Sequence, residues 1–203
     1  MPQSAWEEIT AALATAPYPV EVLPADPERA AVCLRELGIS TRSWLGAVAA
    51  TSGGLTIDHG WLRVLGSGHD GLPGVAVPEE GPPIVGYDVM GGQFVWASAG
   101  PGASPTVHYF GPEDLTWDDL ELGYADWLNA MIGGALTRFY QGLRWPGWES
   151  EVATLALDQG INTFPPPWTV EGKDLATVSR KAIPLAELVS VQQVIASQLG
   201  PGR

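Results

Sequence analysis

Basic residues are scarce in this chain, and its middle has none. Ten lysines and arginines stand against 23 acids, a formal net charge of −13, and no Lys or Arg occurs between Arg63 and Arg138. Holding nucleic acid by its phosphates requires Lys and Arg, so the composition argues against that class. It argues equally against an anionic membrane surface. Cys33 is the sole cysteine, so no internal disulfide can form, which suits a reducing compartment. With three histidines, no His-Glu-x-x-His and no second cysteine, the pattern of a zinc site is missing. No apolar run approaches the roughly 18 to 20 residues of a membrane span. The first eight residues have neither the basic nor the apolar region of a signal peptide. The expectation is a cytoplasmic protein without cofactor or metal.

What is present is globular. At 203 residues the chain can bury roughly 70% of the surface its unfolded form exposes, enough for one domain without crosslinks. Residues from about 145 to 203 read as a C-terminal extension packed on it. Twenty-five glycines and 18 prolines demand many turns. Ten carboxylates crowd the stretch without cations: Asp70, Glu79, Glu80, Asp88, Glu113, Asp114, Asp118, Asp119, Glu121 and Asp126. One surface is therefore strongly negative and suited to a basic partner.

Ser4 and Glu7 form a capping box for a first helix, stopped by Pro17 and Pro19. Val20 to Leu23 is extended. Asp26 caps a second helix with Pro27 in its first turn, Ala30, Leu34 and Leu37 on its apolar face, Cys33 beside that face, and Gly38 at its end. Strands are predicted over 44–51, 55–58, 61–65, 84–90, 93–97 and 106–110, with Gly91-Gly92 as a tight hairpin and 71–83 as loop. A helix capped by Thr116 is then predicted. Trp117, Leu120, Tyr124, Trp127, Leu128 and Met131 form its apolar stripe, with Asp118, Asp119, Asp126 and Asn129 opposite. Gly123 weakens its first turns, so its regular part begins near Tyr124. Leu136, Phe139, Tyr140 and Leu143 make a second helical face. A strand over 179–183 and a last helix from Pro184 to Leu199 close the chain.

Motifs for chemistry are weak. Gly66-Ser-Gly-His-Asp-Gly71 has the spacing of a dinucleotide loop, but Pro73 and Gly74 follow where the phosphate-binding helix should open. Ser67 lacks nucleophile-elbow spacing. Asp58 and His59 are neighbours that a strand would point to opposite faces. Asp118, Asp119 and Glu121 do not form a calcium loop. Paired carboxylates with tryptophans resemble a glycosidase inventory, yet Trp44, Trp61, Trp96, Trp117 and Trp127 are explained by core packing. Trp145, Trp148 and Trp168 lie in Pro/Gly-rich segments and are freer to serve a surface. Arg63, beside Trp61, is expected to pair internally with a carboxylate.

The order Gly53-Gly54, Gly60-Trp-Leu-Arg-Val-Leu-Gly-Ser-Gly-His69, Asp88-Val-Met-Gly-Gly-Gln-Phe94, Val107-His-Tyr-Phe-Gly-Pro112, Leu115 to Leu128 and Phe139-Tyr-Gln-Gly-Leu-Arg-Trp-Pro-Gly-Trp148 resembles a bacterial family built on a domain of unknown function. More distantly the layout is similar to the SUKH superfamily, through its Gly-rich hairpin, its Asp-x-x-Gly-Gly-x-Phe turn and an aromatic-acidic helix in which Trp127-Leu128 stands for the usual pair. That resemblance implies an α+β fold: a twisted, mainly antiparallel sheet with N-terminal helices and a helical C-terminal half. It also implies protein binding without catalysis, as in immunity proteins that neutralise toxins, often nucleases; one branch binds the protein-translocation channel. Three expectations follow. The first is a non-enzymatic acidic domain, an immunity protein for a basic toxin, binding through Glu113, Asp114, Asp118, Asp119, Glu121 and Asp126 with Trp145, Trp148 and Trp168 as anchors. The second is a small-molecule binder or enzyme with a pocket around Arg63, His69, Asp88, Trp117 and Arg144. The third is a structural or regulatory homodimer.

Overall fold

A computed structural model describes residues 4–76, 81–98, 100 and 102–200. Glu79 and Glu80 lie outside the described residues, as does that part of the 71–83 loop. Helix α1 (Ala5–Leu13) starts at the expected capping box: the Ser4 side chain accepts from the Glu7 N–H while the Glu7 carboxylate accepts from the Ser4 N–H. Strand β1 (Val20–Pro24) leads to α2 (Pro27–Leu37), capped by the Asp26 carboxylate and ended by Gly38 at φ 64°. Cys33 is buried and donates to the Val75 carbonyl.

The segment 44–51, expected as a strand, is helix α3 (Trp44–Thr51). Ser43 caps it by accepting from the Gly46 N–H, and five consecutive residues from Leu45 to Ala49 are buried. A short run that is apolar on all sides suits a buried helix as well as a buried strand, and here the cap decides.

Seven strands then form one antiparallel meander in sequence order: β1, β2 (Ser52–Ile57), β3 (Leu62–Leu65), β4 (Ile84–Asp88), β5 (Gln93–Ala97), β6 (Thr106–Phe110) and β7 (Trp117–Asp119). Directly paired residues share a face. Leu55, Val64, Gly86, Phe94 and Tyr109 make one row. Their face packs on the helices: Phe94 lies 5.1 Å from Trp127 and Tyr109 lies 4.9 Å from Phe139, ring centre to ring centre. Thr56, Arg63, Tyr87, Gln93, Phe110 and Trp117 make the opposite row. This second face meets the chain after residue 156.

Residues 117–119 correct the predicted helix from Thr116. They pair with β6 as an edge strand, Phe110 facing Trp117 and His108 facing Asp119. The Gly111–Pro112 turn sends the chain back along β6, and pairing overrides local helical pattern. Helix α4 is Tyr124–Ala130, starting at Gly123. Trp117 therefore does not share a stripe with Trp127 and Leu128: it is exposed and they are buried. A π-helical turn (Met131–Ala135), kinked at Gly134, leads into α5 (Leu136–Phe139). Leu136, Tyr140 and Leu143 are buried, as the predicted second face requires.

The remaining chain forms α6 (Trp148–Val152), a hairpin of β8 (Gln159–Phe164) and β9 (Ser179–Pro184), and α7 (Leu185–Leu199). Gln192 of α7 is buried and donates to the Met90 carbonyl, and Gln193 donates to the Gln93 side chain. The α+β expectation, with an antiparallel sheet, N-terminal helices and a helical C-terminal region, describes the molecule.

Candidate functional site

Strand β7 forms one wall of an open cleft of about 870 Å³. Phe110, Glu113, Asp114 and Trp117 come from the end of the sheet, Trp168 and Lys173 from the loop between β8 and β9, and Gln193, Ala196 and Ser197 from α7. Trp117 is 47% exposed and rests on Phe110, with ring centres 5.3 Å apart. Its indole is thus held from below and open above. Leu115 and Glu121, one before and one after the strand, both adopt left-handed backbone conformations, φ 60° and 56°. A left-handed leucine is rare, so the turn that presents Trp117 is fixed by its surroundings and not by local preference.

The acids divide into three environments. Glu113 is half-buried in the lining of the cleft, and burial pushes its carboxyl up to about 7. Its Oε2 is buried and has no hydrogen-bond partner among the described residues, while Lys173 Nζ donates to its main-chain carbonyl. Asp114 is exposed on the rim and accepts from the Thr116 N–H. Asp118, Asp119 and Glu121 are exposed on and just past the edge strand. The Glu121 N–H, 2.8 Å away, holds the Asp119 carboxyl below the usual range, helped by Thr106 and His108. Asp126 is elsewhere, on α4 beside Glu8 and Trp44. The predicted acidic helical face is therefore replaced by an acidic strand and rim, without Asp126.

Two of the three tryptophans expected to serve a surface are buried, at 3% for Trp145 and 8% for Trp148. Both belong to the core and pack on Trp61, with ring centres 5.8 and 5.1 Å away, and an arginine lies over each. Arg144 sits with its guanidinium carbon 4.0 Å from the Trp148 ring centre and 5.1 Å from that of Trp61, and it pairs with Asp58 at 2.6 Å. Arg180 stacks on Trp145 and pairs with Glu151, which also accepts from the Trp145 Nε1–H. Trp168 alone of the three remains partly exposed, in the cleft.

Arg63, His69, Asp88, Trp117 and Arg144 do not converge. Arg63 is buried, and instead of pairing with a carboxylate it donates to the carbonyls of Leu157 (2.8 Å) and Gln159 (2.5 Å). Its burial brings its pKa down to about 10. Asp88 is wholly buried under the β4–β5 hairpin, accepting from Tyr109 and from the N–H groups of Met90 and Gly92. Desolvation raises its pKa against those bonds. His69 is tied by its backbone to Leu72. Asp58 and His59 lie in a left-handed turn, not a strand, where Asp58 meets Arg144 and His59 meets the edge of Trp148.

Phe110, Lys173 and the α7 residues were not singled out from the sequence. Phe110 lies in the run Val107-His-Tyr-Phe-Gly-Pro112, but only strand register places it under Trp117. Among the described residues no three His, Cys, Asp or Glu side chains gather as metal ligands, and no helix is long and apolar enough to cross a membrane.

The architecture defines the class: an α+β domain with a sequential seven-stranded meander, helices on one face, and a C-terminal hairpin and helix on the other. The chain belongs to the family described as "Protein of unknown function DUF2625", which it matches over residues 1–188. It is 35% identical over 198 residues to the putative uncharacterized protein YbfG of Escherichia coli (strain K12), covering 93% of this chain and 90% of that one. It is 33% identical over 169 residues to an uncharacterized protein of Haemophilus influenzae, covering 77% and 74%. No solved structure matches.

Proposed function

We propose that this chain is a non-enzymatic protein-recognition domain that docks a basic protein in the cleft beside β7, the role an immunity protein plays toward a basic toxin. One observation carries the reading. The cleft gathers Glu113 and Asp114 with Trp117 and Trp168, four residues from two distant parts of the sequence. Carboxylates steer a cationic partner and select it, while desolvated aromatics supply the anchoring energy that rim charges lack. The faces of Trp117 and Trp168 also suit arginine or lysine side chains. The resemblance of the motif order to the SUKH superfamily, read from the sequence alone, points to the same class of function.

A panel of synthetic peptides of graded charge, titrated against the full chain by calorimetry at two salt concentrations, tests this. Cationic peptides bind, more weakly in high salt, and Trp117→Ala with Trp168→Ala weakens them about tenfold or more. Asp118→Lys with Asp119→Lys lowers affinity at low salt. Equal binding of anionic and cationic peptides, or indifference to the tryptophan pair, overturns the proposal. Light scattering across protein concentrations separates it from the homodimer alternative.

A further inference from the structure

We infer that the partner binds by strand addition, an extended basic segment pairing with the free edge of β7; this rests on reading the cleft as a protein-docking site. The ladder sets which groups are free. The Gly111 N–H donates to the Thr116 carbonyl, the Leu120 N–H to the Val107 carbonyl, and Asp118 faces Tyr109. Antiparallel alternation therefore turns the main-chain groups of residues 116, 118 and 120 toward β6, and those of Trp117 and Asp119 outward. Among the described residues, the register leaves the Trp117 and Asp119 N–H and C=O groups without a ladder partner. β7 is the last strand of the sheet, so these groups form an open template.

Side chains define the occupant. Trp117 continues the row of Phe110, so an added strand extends that row over the cleft walled by Trp168 and Glu113. Asp118 and Asp119 point to opposite faces, and both are exposed. An added strand thus meets an acid on each face, and opposite charges across a strand pair stabilise it. A second copy of the chain does not fit. Antiparallel self-pairing centred on β7 sets Asp118 against its own counterpart, and like charges directly opposite are destabilising. Asp118, which keeps copies apart, therefore also joins Asp119 in admitting a basic strand.

The probe is an acetylated, amidated octapeptide of two Arg-Arg-Thr-Thr repeats, which presents arginine on both faces of an extended strand, titrated into the full ¹⁵N-labelled chain with amide exchange followed residue by residue. Binding is expected to slow exchange at Trp117 and Asp119 about tenfold or more, with little change at the already paired Asp118. The same peptide N-methylated throughout is expected to bind at least about tenfold more weakly. Binding that perturbs Trp117 and Trp168 without slowing those amides overturns strand addition and leaves the cleft reading intact. Failure of this peptide to bind while other cationic peptides of the panel do also overturns strand addition alone. Failure of every cationic peptide overturns both. Exchange at Trp117 and Asp119 that slows with protein concentration alone assigns the edge to a second copy and overturns the proposal.

Discussion

The arginines explain why so acidic a chain folds with so few cations. Arg63, Arg144 and Arg180 are all consumed inside the molecule: one clamps the carbonyls at 157 and 159, one pairs with Asp58 among three aromatic rings, and one joins Glu151 to the carbonyls of Leu175 and Val178. Each ties the segment after residue 140 to itself or to the sheet. Removing one partner of a buried pair leaves the other charge uncompensated. Asp58→Asn keeps a residue tolerant of the left-handed turn, so its cost isolates the charge, and urea denaturation should show a loss of about 3 kcal/mol. Glu113 makes the opposite contribution. Its carboxyl is pushed above the usual glutamate range to about 7, so the stability tied to its neutral form is complete below about pH 4.5 and is lost as pH rises through about 7. Glu113→Gln should flatten that part of the pH profile. It should leave the variant more stable than the parent at about pH 8, on the order of 2 kcal/mol after solvent screening, as measured by thermal unfolding across pH.

At the scale of elements, the β4–β5 hairpin shows what two glycines do. A Cβ on Gly92 would collide with the Asp88 carboxylate and the Tyr109 hydroxyl, and one on Gly91 would meet the Gln192 side chain of α7. The turn thus seats a buried carboxylate on one side and the last helix on the other. Gly92→Ala should destabilise the chain by about 3 kcal/mol, read from the shift in denaturation midpoint. The hairpin was legible in the sequence because a Gly-Gly turn between two β-rich runs is a local signal, and the caps at Ser4 and Asp26 were legible for the same reason. Strand β7 was not. It has three residues, too few to alternate visibly, and Thr116-x-x-Asp119 imitates a helix cap; only its pairing with β6 makes it a strand. The candidate site divides the same way. Glu113, Asp114 and Trp168 were singled out as partner-binding residues, whereas Trp117 was read as core on a helical stripe and as part of the pocket around Arg63; their meeting in one cleft depends on register and on the return of the C-terminal segment. Trp145 and Trp148 misled because flanking Pro and Gly signal a loop, while Trp61, the buried ring on which both pack, lies far away in sequence.

The whole molecule separates what guides a partner from what holds it. With three arginines used internally, the charge around the cleft is dominated by Asp114, Asp118, Asp119 and Glu121, all exposed, against the single cation Lys173 among the cleft's described lining residues. Exposed charges act over about 8 to 10 Å at physiological salt and chiefly raise the rate of encounter. Trp117 and Trp168 act only at contact and govern escape. The two sets of residues should therefore affect different rate constants. Replacing the four acids together by Asn and Gln should lower the association rate of a bound cationic peptide by about tenfold at low salt, and that deficit should shrink as salt is added. The same change should leave dissociation within about twofold, because rim charges contribute little to the formed complex. Trp117→Ala with Trp168→Ala should do the reverse, raising dissociation about tenfold with association nearly unchanged. Stopped-flow fluorescence with a labelled peptide reads both constants. If the acid replacements act mainly on dissociation, the acids are anchors buried in the complex; if the tryptophan replacements act mainly on association, the aromatic wall is not the contact surface and the partner sits elsewhere on the negative face.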